Sequence, residues 1–197
     1  MNRDILSKIE QEQMISREEL EELLTTTDQE LIEELYRRAR ATAGKYYGKE
    51  IYLRGLIEFT NYCRNDCLYC GIRKSNPNVS RYRLSEEQIL DCCRIGYDLG
   101  FRTFVLQGGE DAYYTDDIIC AIVSAIRKQH PDCAITLSIG EKSRAGYQAY
   151  FDAGANRYLL RHETADVEHY AKLHPDCMSL ENRKRCLFDL KEIGYQV

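Results

Sequence analysis

The feature that most limits how this chain can fold is a repeated alternation of short apolar runs with amphipathic segments. The short runs have the length and composition of buried strands. They lie near Leu53–Phe59, Thr103–Leu106, Ala134–Ile139 and Arg157–Leu160. The amphipathic segments have helical periodicity and lie near Ser85–Leu99, Asp116–Lys128, Ser143–Ala153 and Leu180–Ile193. Repeated βα units imply parallel strands with right-handed crossovers, so the sequence predicts an α/β fold, the first four βα units of a TIM-type barrel.

A polar helical segment precedes this alternation. Ser16-Arg-Glu-Glu19 and Thr27-Asp-Gln-Glu30 each place a glutamate three residues after a hydroxyl, the spacing of a capping box at a helix start. Gly48 is suited to end the last helix. The sequence therefore predicts a helical N-terminal preface, residues 1–48, followed by a partial barrel, residues 49–197.

The alternation is interrupted at the end of the sequence. Tyr195-Gln-Val197 indicates the start of a fifth strand, and no Pro-, Gly- or Ser-rich linker precedes it. A strand of a parallel barrel pairs with a neighbour on each side. We therefore expect these residues to form half a barrel, and we do not expect them to be a competent enzyme alone.

Composition and charge exclude several classes of protein. The net charge is −5 and the basic residues are interspersed with acids, so a nucleic-acid partner is not expected. No run approaches the roughly 20 apolar residues of a membrane span, and the N-terminus lacks the apolar region of a signal peptide. These features predict a cytoplasmic protein. Its nine cysteines are then expected to be reduced rather than paired in disulfides.

Three cysteines follow the first predicted strand closely. Cys63, Cys67 and Cys70 have Cys-x3-Cys-x2-Cys spacing in a loop where barrel enzymes carry their chemistry. Thiolates ligate iron–sulfur clusters, and three ligands leave one iron of a four-iron cluster open to a small molecule. A zinc knot is an alternative, but it lacks a fourth ligand at finger-like spacing. A Cys-x-x-C redox motif leaves Cys63 without a role.

The other cysteines occupy mostly apolar positions of the predicted helices and strands. We expect them to be buried and inert; Cys177 differs from the others in lying in a predicted loop. They are Cys92, Cys93, Cys120, Cys133, Cys177 and Cys186.

With an aromatic residue, Tyr69, directly before the last cysteine, this motif resembles the signature of the radical S-adenosylmethionine (SAM) superfamily. The segments Arg54–Cys63 and Tyr69–Asn76 resemble more closely the HydE-type maturases of FeFe-hydrogenases, and the likeness runs from about Ile51 to Val197. The resemblance implies that the three cysteines hold a 4Fe-4S cluster and that the cofactor is S-adenosyl-L-methionine. Such enzymes cleave SAM to a 5'-deoxyadenosyl radical.

Further polar and glycine residues follow the later strands. Gly108 and Gly109 follow the second predicted strand. Two adjacent glycines after a strand usually form a turn, although they also let a ligand approach the backbone. An Arg-His-Glu run after the fourth strand is by itself a solvated charge cluster, and His162 is interpreted as structural. The resemblance implies cofactor contacts for some of these residues, and no side chain is assigned as a catalytic acid, base or nucleophile. The cofactor-binding candidates are Tyr69, Gln107, Gly108, Gly109, Glu110, Ser138, Glu163 and Arg183.

The likeness to HydE-type maturases implies a role in assembling the hydrogenase diiron subcluster. The substrate would be a small organometallic or cysteine-derived molecule, with other hydrogenase maturases and a reductant as partners. Biotin-synthase-like and methylornithine-synthase-like reactions use the same scaffold, and Gly71–Asn76 favours the maturase over both. A non-enzymatic iron–sulfur carrier is a further alternative, but it has no need for the cofactor residues that follow the cysteine loop.

Overall fold

The computed structural model describes residues 3–197, which form two compact units. One unit contains the described residues up to Tyr52, and the other contains Leu53–Val197. The proposed division between residues 48 and 49 stays a prediction, and the first two residues of the predicted helical segment lie outside the described range. The first unit contains three helices: α1 (Arg3–Glu12), α2 (Arg17–Thr25) and α3 (Gln29–Tyr47).

The helix ends in this first unit follow local capping chemistry. Ser16 and Glu19 form the predicted capping box at the start of α2. The prediction of Thr27 as the cap of α3 was wrong, because the Asp28 carboxylate accepts hydrogen bonds from the backbone N–H groups of Glu30 and Leu31. An aspartate is the stronger N-cap. Gly48 ends α3 with φ of 62°, a conformation that glycine adopts without strain.

The second unit contains a parallel sheet in which each strand is followed by at least one helix, and this confirms the predicted α/β fold class. The order of the strands in the sheet is β1-β2-β3-β4, as in the first half of a barrel. The strands are β1 (Gly55–Thr60), β2 (Thr103–Gly108), β3 (Ala134–Ser138) and β4 (Arg157–Tyr158). The helices are α4 (Glu86–Asp98), α5 (Asp116–Gln129), α6 (Arg144–Asp152), α7 (Val167–Leu173) and α8 (Leu180–Ile193).

The structure adds one helix to the predicted alternation and contains the predicted start of a further strand. Helix α7 was not predicted: it has only seven residues, too few for a periodic pattern to stand out. The start of a fifth strand is visible beside β4, where Gln196 forms an isolated parallel bridge with Arg157. In residues 3–197 there is no helix of the length and apolar character that a membrane span requires.

The packing of β1 decides which side chains face the helices. Ile57 and Phe59 are buried in the hydrophobic core, whereas the intervening Glu58 is exposed and lines a cleft. Successive side chains of a strand point to opposite faces. Glu58 is in register with Gln107 on β2, and Gln107 is in register with Ser138 on β3. The inner face near the carboxyl ends of the strands is therefore polar.

Candidate cysteine-lined active site

A cleft of about 470 Å³ lies at the carboxyl ends of the strands. The loops after β1, β2, β3 and β4 and the start of α8 all contribute to its walls. The structure brings every predicted site residue to this cleft: Cys63, Cys67, Tyr69, Cys70, Gln107, Gly108, Gly109, Glu110, Ser138, Glu163 and Arg183.

The cysteine loop is held in shape by polar side chains within it. The Arg81 guanidinium donates hydrogen bonds to the carbonyl oxygens of Ile72 and Arg73, at 2.8 and 2.7 Å, and also to that of Asn61. The Asp66 carboxylate accepts hydrogen bonds from the backbone N–H and hydroxyl of Ser75, and these bonds lower the pKa of Asp66. The loop therefore has internal support although it contains no helix or strand.

The loop after β2 packs directly against the cysteine loop. The Arg64 N–H donates to the Glu110 carbonyl at 3.0 Å, and the Arg64 guanidinium forms an ion pair with the Glu110 carboxylate at 2.8 Å. Gly109 lies so close that a Cβ atom there would be 2.2 Å from the Tyr62 carbonyl oxygen. Only glycine permits this approach. The absence of a side chain at Gly109 thus allows the loop after β2 to pack against the backbone of the cysteine loop.

The three loop cysteines are free thiols of intermediate burial. Burial raises the pKa of Cys67 to about 11, and the nearby Cys63 and Cys70 thiols add to this rise. A thiolate at this position therefore needs a compensating positive charge, which a metal centre supplies.

Two kinds of metal site place different demands on these thiols. Among residues 3–197, no three Cys, His, Asp or Glu side chains converge closely enough to hold a single metal ion. A zinc knot requires four ligands on one ion, with sulfur atoms about 2.3 Å from it. A four-iron cluster takes its cysteines on different irons, and three thiols in one cleft fit that requirement.

Arg183 is buried at the base of this cleft rather than solvated on a helix surface. Only 6% of the residue is exposed. Its Nε lies 2.9 Å from Glu141 Oε1, and its Nη1 donates to the Arg161 carbonyl at 3.0 Å. Burial opposes the charge of Arg183, but the Glu141 carboxylate outweighs it and raises the pKa of the guanidinium. Arg183 is therefore a fixed cation facing the cleft.

Glu141 connects Arg183 to the loop after β2. Its second carboxylate oxygen accepts a hydrogen bond from Asn182 at 2.6 Å, and its backbone N–H donates to Glu110 Oε1 at 3.0 Å. The preceding residue, Gly140, has φ of +79°, and a Cβ atom there would be 2.2 Å from Glu110. Three segments that are distant in sequence are thus joined: the loops after β2 and β3, and helix α8.

The remaining predicted residues lie around the rim of the cleft. Glu163 is exposed and has φ of 63°, a strained conformation for a residue with a side chain. Ser138 ends β3, and Gln107 donates a hydrogen bond to Glu58 at 3.2 Å. The Tyr69 hydroxyl contacts His174 Nε2 at 3.1 Å.

Sequence reasoning missed three residues in or beside this site, and it was wrong about the burial of two cysteines. Glu58, Glu141 and His174 were not singled out, since each depends on neighbours from other segments; a charged residue in an apolar strand was the available signal for Glu58. Cys92 is exposed rather than buried, because it and the fully buried Cys93 are adjacent on α4 and cannot both face the sheet. Cys177 is also exposed.

The half-barrel with a three-cysteine loop at the carboxyl ends of its strands defines the class of protein. The chain belongs to the radical SAM superfamily, whose sequence profile matches residues 57–197. It is 46% identical over 98% of its length to the [FeFe] hydrogenase maturase subunit HydE of Thermotoga maritima, and covers 55% of that protein. It is 33% identical over 92% of its length to 3-methylornithine synthase of Methanosarcina acetivorans, and covers 51% of it.

A solved structure confirms the fold. The crystal structure of methylornithine synthase (PylB) matches with a TM-score of 0.84 and 29% identity, over 97% of this chain and 56% of the other. The chain therefore spans about half the length of the relatives it matches.

Proposed function

We propose that this chain carries the cluster- and cofactor-binding half of a radical SAM enzyme that acts in maturation of the FeFe-hydrogenase diiron subcluster. The observation that carries the proposal is the convergence of three loop thiols with the residues after β2, β3 and β4 and with Arg183 around one cleft. The 46% identity to the HydE maturase subunit favours this assignment. A methylornithine-synthase-like rearrangement is the second candidate, supported by 33% identity to that synthase.

The donor set suits the two groups that the superfamily uses. Cys63, Cys67 and Cys70 would hold a 4Fe-4S cluster through their sulfur atoms. When reduced, that cluster would donate one electron to SAM and cleave it to methionine and a 5'-deoxyadenosyl radical. The protein's part is to bind, orient and shield these groups.

Each polar residue of the cleft has a chemically suitable part of SAM to bind. The Arg183 guanidinium suits the methionine carboxylate, because a planar guanidinium can donate two parallel hydrogen bonds to it. The acceptor groups of the segment Gln107–Glu110 suit the methionine ammonium, with the Glu110 carboxylate already anchored by Arg64. Glu163 and Ser138 are available to hydroxyl or ammonium groups, and Tyr69 to the adenine end.

The setting and the partners are proposed from the likeness to the HydE maturase subunit. All nine cysteines are free, as expected for a cytoplasmic protein. The substrate would be a small organometallic or cysteine-derived molecule. The partners would be other hydrogenase maturases and a reductant that supplies the electron.

The experiment, made with the full-length protein, is anaerobic reconstitution with iron and sulfide, followed by reduction in the presence of SAM and quantification of 5'-deoxyadenosine. The Cys67→Ser variant should retain less iron and form no 5'-deoxyadenosine, because too few thiolates remain. The matched control is Cys92→Ser, which alters an exposed thiol on α4 and should behave as the unsubstituted protein. Equal iron retention in Cys67→Ser would refute the proposed cluster site. Turnover of an amino-acid substrate to a rearranged product would favour the second candidate.

A further inference from the structure

The cysteine loop is supported from outside by the segment that follows α7. The backbone N–H of Leu68 donates to the carbonyl oxygen of Leu173 at 2.9 Å. Cys67 Sγ lies 3.7 Å from the sulfur of Met178. The turn between the second and third cysteines therefore rests on residues more than a hundred positions later in the sequence.

The centre of this support is His174, a buried histidine whose ring has both nitrogens engaged. Only 5% of the residue is exposed. Its Nδ1 lies 3.0 Å from the Tyr170 carbonyl oxygen, and the two rings stack with centroids 3.8 Å apart. A carbonyl oxygen can only accept a hydrogen bond, so Nδ1 carries the proton. In the tautomer that this contact selects, Nε2 is the acceptor.

That acceptor is 3.1 Å from the hydroxyl of Tyr69, so the Tyr69 hydroxyl is the donor. Tyr69 is adjacent to Cys70, lines the cleft and is 51% exposed. The ring is thus open to the cleft on one side, and it meets His174 both through its hydroxyl and through an edge-to-face contact with centroids 5.4 Å apart. Without an acceptor at position 174, a half-exposed ring gains rotamer freedom.

We propose that His174 is a positioning residue of the cofactor site, acting through the Tyr69 hydroxyl to hold the Tyr69 ring and the adjoining cysteine turn in the orientation that binds SAM. This role rests on the proposed function. His174 itself does not line the cleft, so its effect on the site would pass through Tyr69. It acts by pre-organisation, because a ring already ordered before binding costs less to immobilise when the ligand arrives.

The test compares two ways of removing one hydrogen bond. His174→Phe retains a stacking ring without an acceptor, Tyr69→Phe removes the donor, and His174→Gln retains an acceptor. Each single phenylalanine variant should raise the SAM dissociation constant roughly three- to tenfold, the worth of a neutral hydrogen bond. Iron content should be unchanged, and His174→Gln should restore part of the affinity. The double variant should bind no more weakly than either single variant, since the two substitutions remove the same bond.

A readout that needs no cofactor accompanies the binding data. In protein labelled with nitrogen-15 histidine, His174 should show a protonated Nδ1 and an unprotonated Nε2, and Tyr69→Phe should shift the Nε2 resonance. His169→Gln alters an exposed histidine of α7 and should change neither the affinity nor the His174 resonances.

The outcomes separate the two hypotheses. An unchanged SAM affinity in both phenylalanine variants, or fully additive losses in the double variant, overturns the role of His174 and leaves the proposed function intact. A cluster-loaded parent protein that does not bind SAM overturns the proposed function, and the positioning role with it. If His174→Phe does not fold, Tyr69→Phe still decides the matter, because it removes the same bond from the half-exposed side.

Discussion

Gly109 lies in direct contact with Cys63, although the two residues belong to different loops. A Cβ atom on Gly109 would stand 2.7 Å from Cys63 Cβ and 2.2 Å from the Tyr62 carbonyl oxygen. The clash with backbone cannot be relieved by a rotamer change. The position of the first cysteine therefore depends on a hydrogen atom at residue 109.

The first prediction is that Gly109→Ala loses the cluster. The added methyl group should displace the start of the cysteine loop, at a cost of about 1–3 kcal/mol for overpacking, and lower the iron retained after reconstitution. Gly44→Ala is the matched control, since nothing lies within 4 Å of a Cβ there. Retention of iron and sulfide at the parent level by Gly109→Ala would contradict the prediction.

Arg183 provides the second prediction. Arg183→Ala should weaken SAM binding by about 1.5–3 kcal/mol, the range for a hydrogen bond to a charged group. The reason is that the methionine carboxylate of SAM would lose its buried cationic partner. The cluster should survive. Isothermal titration with SAM measures the effect, and Arg185→Ala, on the more exposed arginine of α8, serves as the control. Parent-like affinity in Arg183→Ala would show that the guanidinium serves only to neutralise Glu141.

The third prediction separates strain from binding at Glu163. Its φ of 63° is a conformation that costs a residue with a side chain roughly 1–2 kcal/mol and costs glycine little. Glu163→Gly should therefore leave the melting temperature equal or higher while weakening SAM binding. Glu168→Gly, at an exposed position of α7, should instead lower the melting temperature. A large drop in stability for Glu163→Gly would mean that its side chain is structural.

The fourth prediction concerns pH. The Asp111 carboxylate, whose side chain is 4% exposed, lies 2.7 Å from Arg83 Nε and accepts a hydrogen bond from the Thr60 hydroxyl at 2.8 Å. Burial raises the pKa of Asp111, but these partners outweigh burial and lower it overall. A lowered pKa stabilises the fold above the unfolded value near 3.9, and this contribution is lost as pH falls through the folded value.

Asp111→Asn should thus destabilise the protein by roughly 1.5–3 kcal/mol at neutral pH. The difference from the parent should shrink as pH falls below about 4. Urea unfolding at several pH values measures this, with Asp98→Asn as a control, whose side chain is 69% exposed. A difference that stays constant from pH 7 to pH 3 would show that the Asp111 charge is not responsible.

Local pattern was sufficient for most of the elements and for predicting a cluster site in the cysteine loop. The strands and helices of the barrel segment, except α7, were predicted because apolar periodicity reflects burial on one face. The capping box at Ser16 and the helix end at Gly48 depend on neighbouring residues only. The spacing of Cys63, Cys67 and Cys70 is likewise local, and so the cluster prediction needed no tertiary information.

The tertiary structure decided which polar groups meet. The burial of Arg183 against Glu141, the hydrogen bond between Tyr69 and His174, and the contact between Gly109 and Cys63 join residues from different βα units. No periodicity records such pairs, because each depends on strand register and on loop paths. The sequence alone therefore determined most of the α/β elements and the spacing of the three loop thiols. The surroundings of these thiols were decided by the parallel pairing of the strands. This pairing brings the carboxyl ends of successive strands to one edge of the sheet, where side chains that are distant in sequence line one cleft.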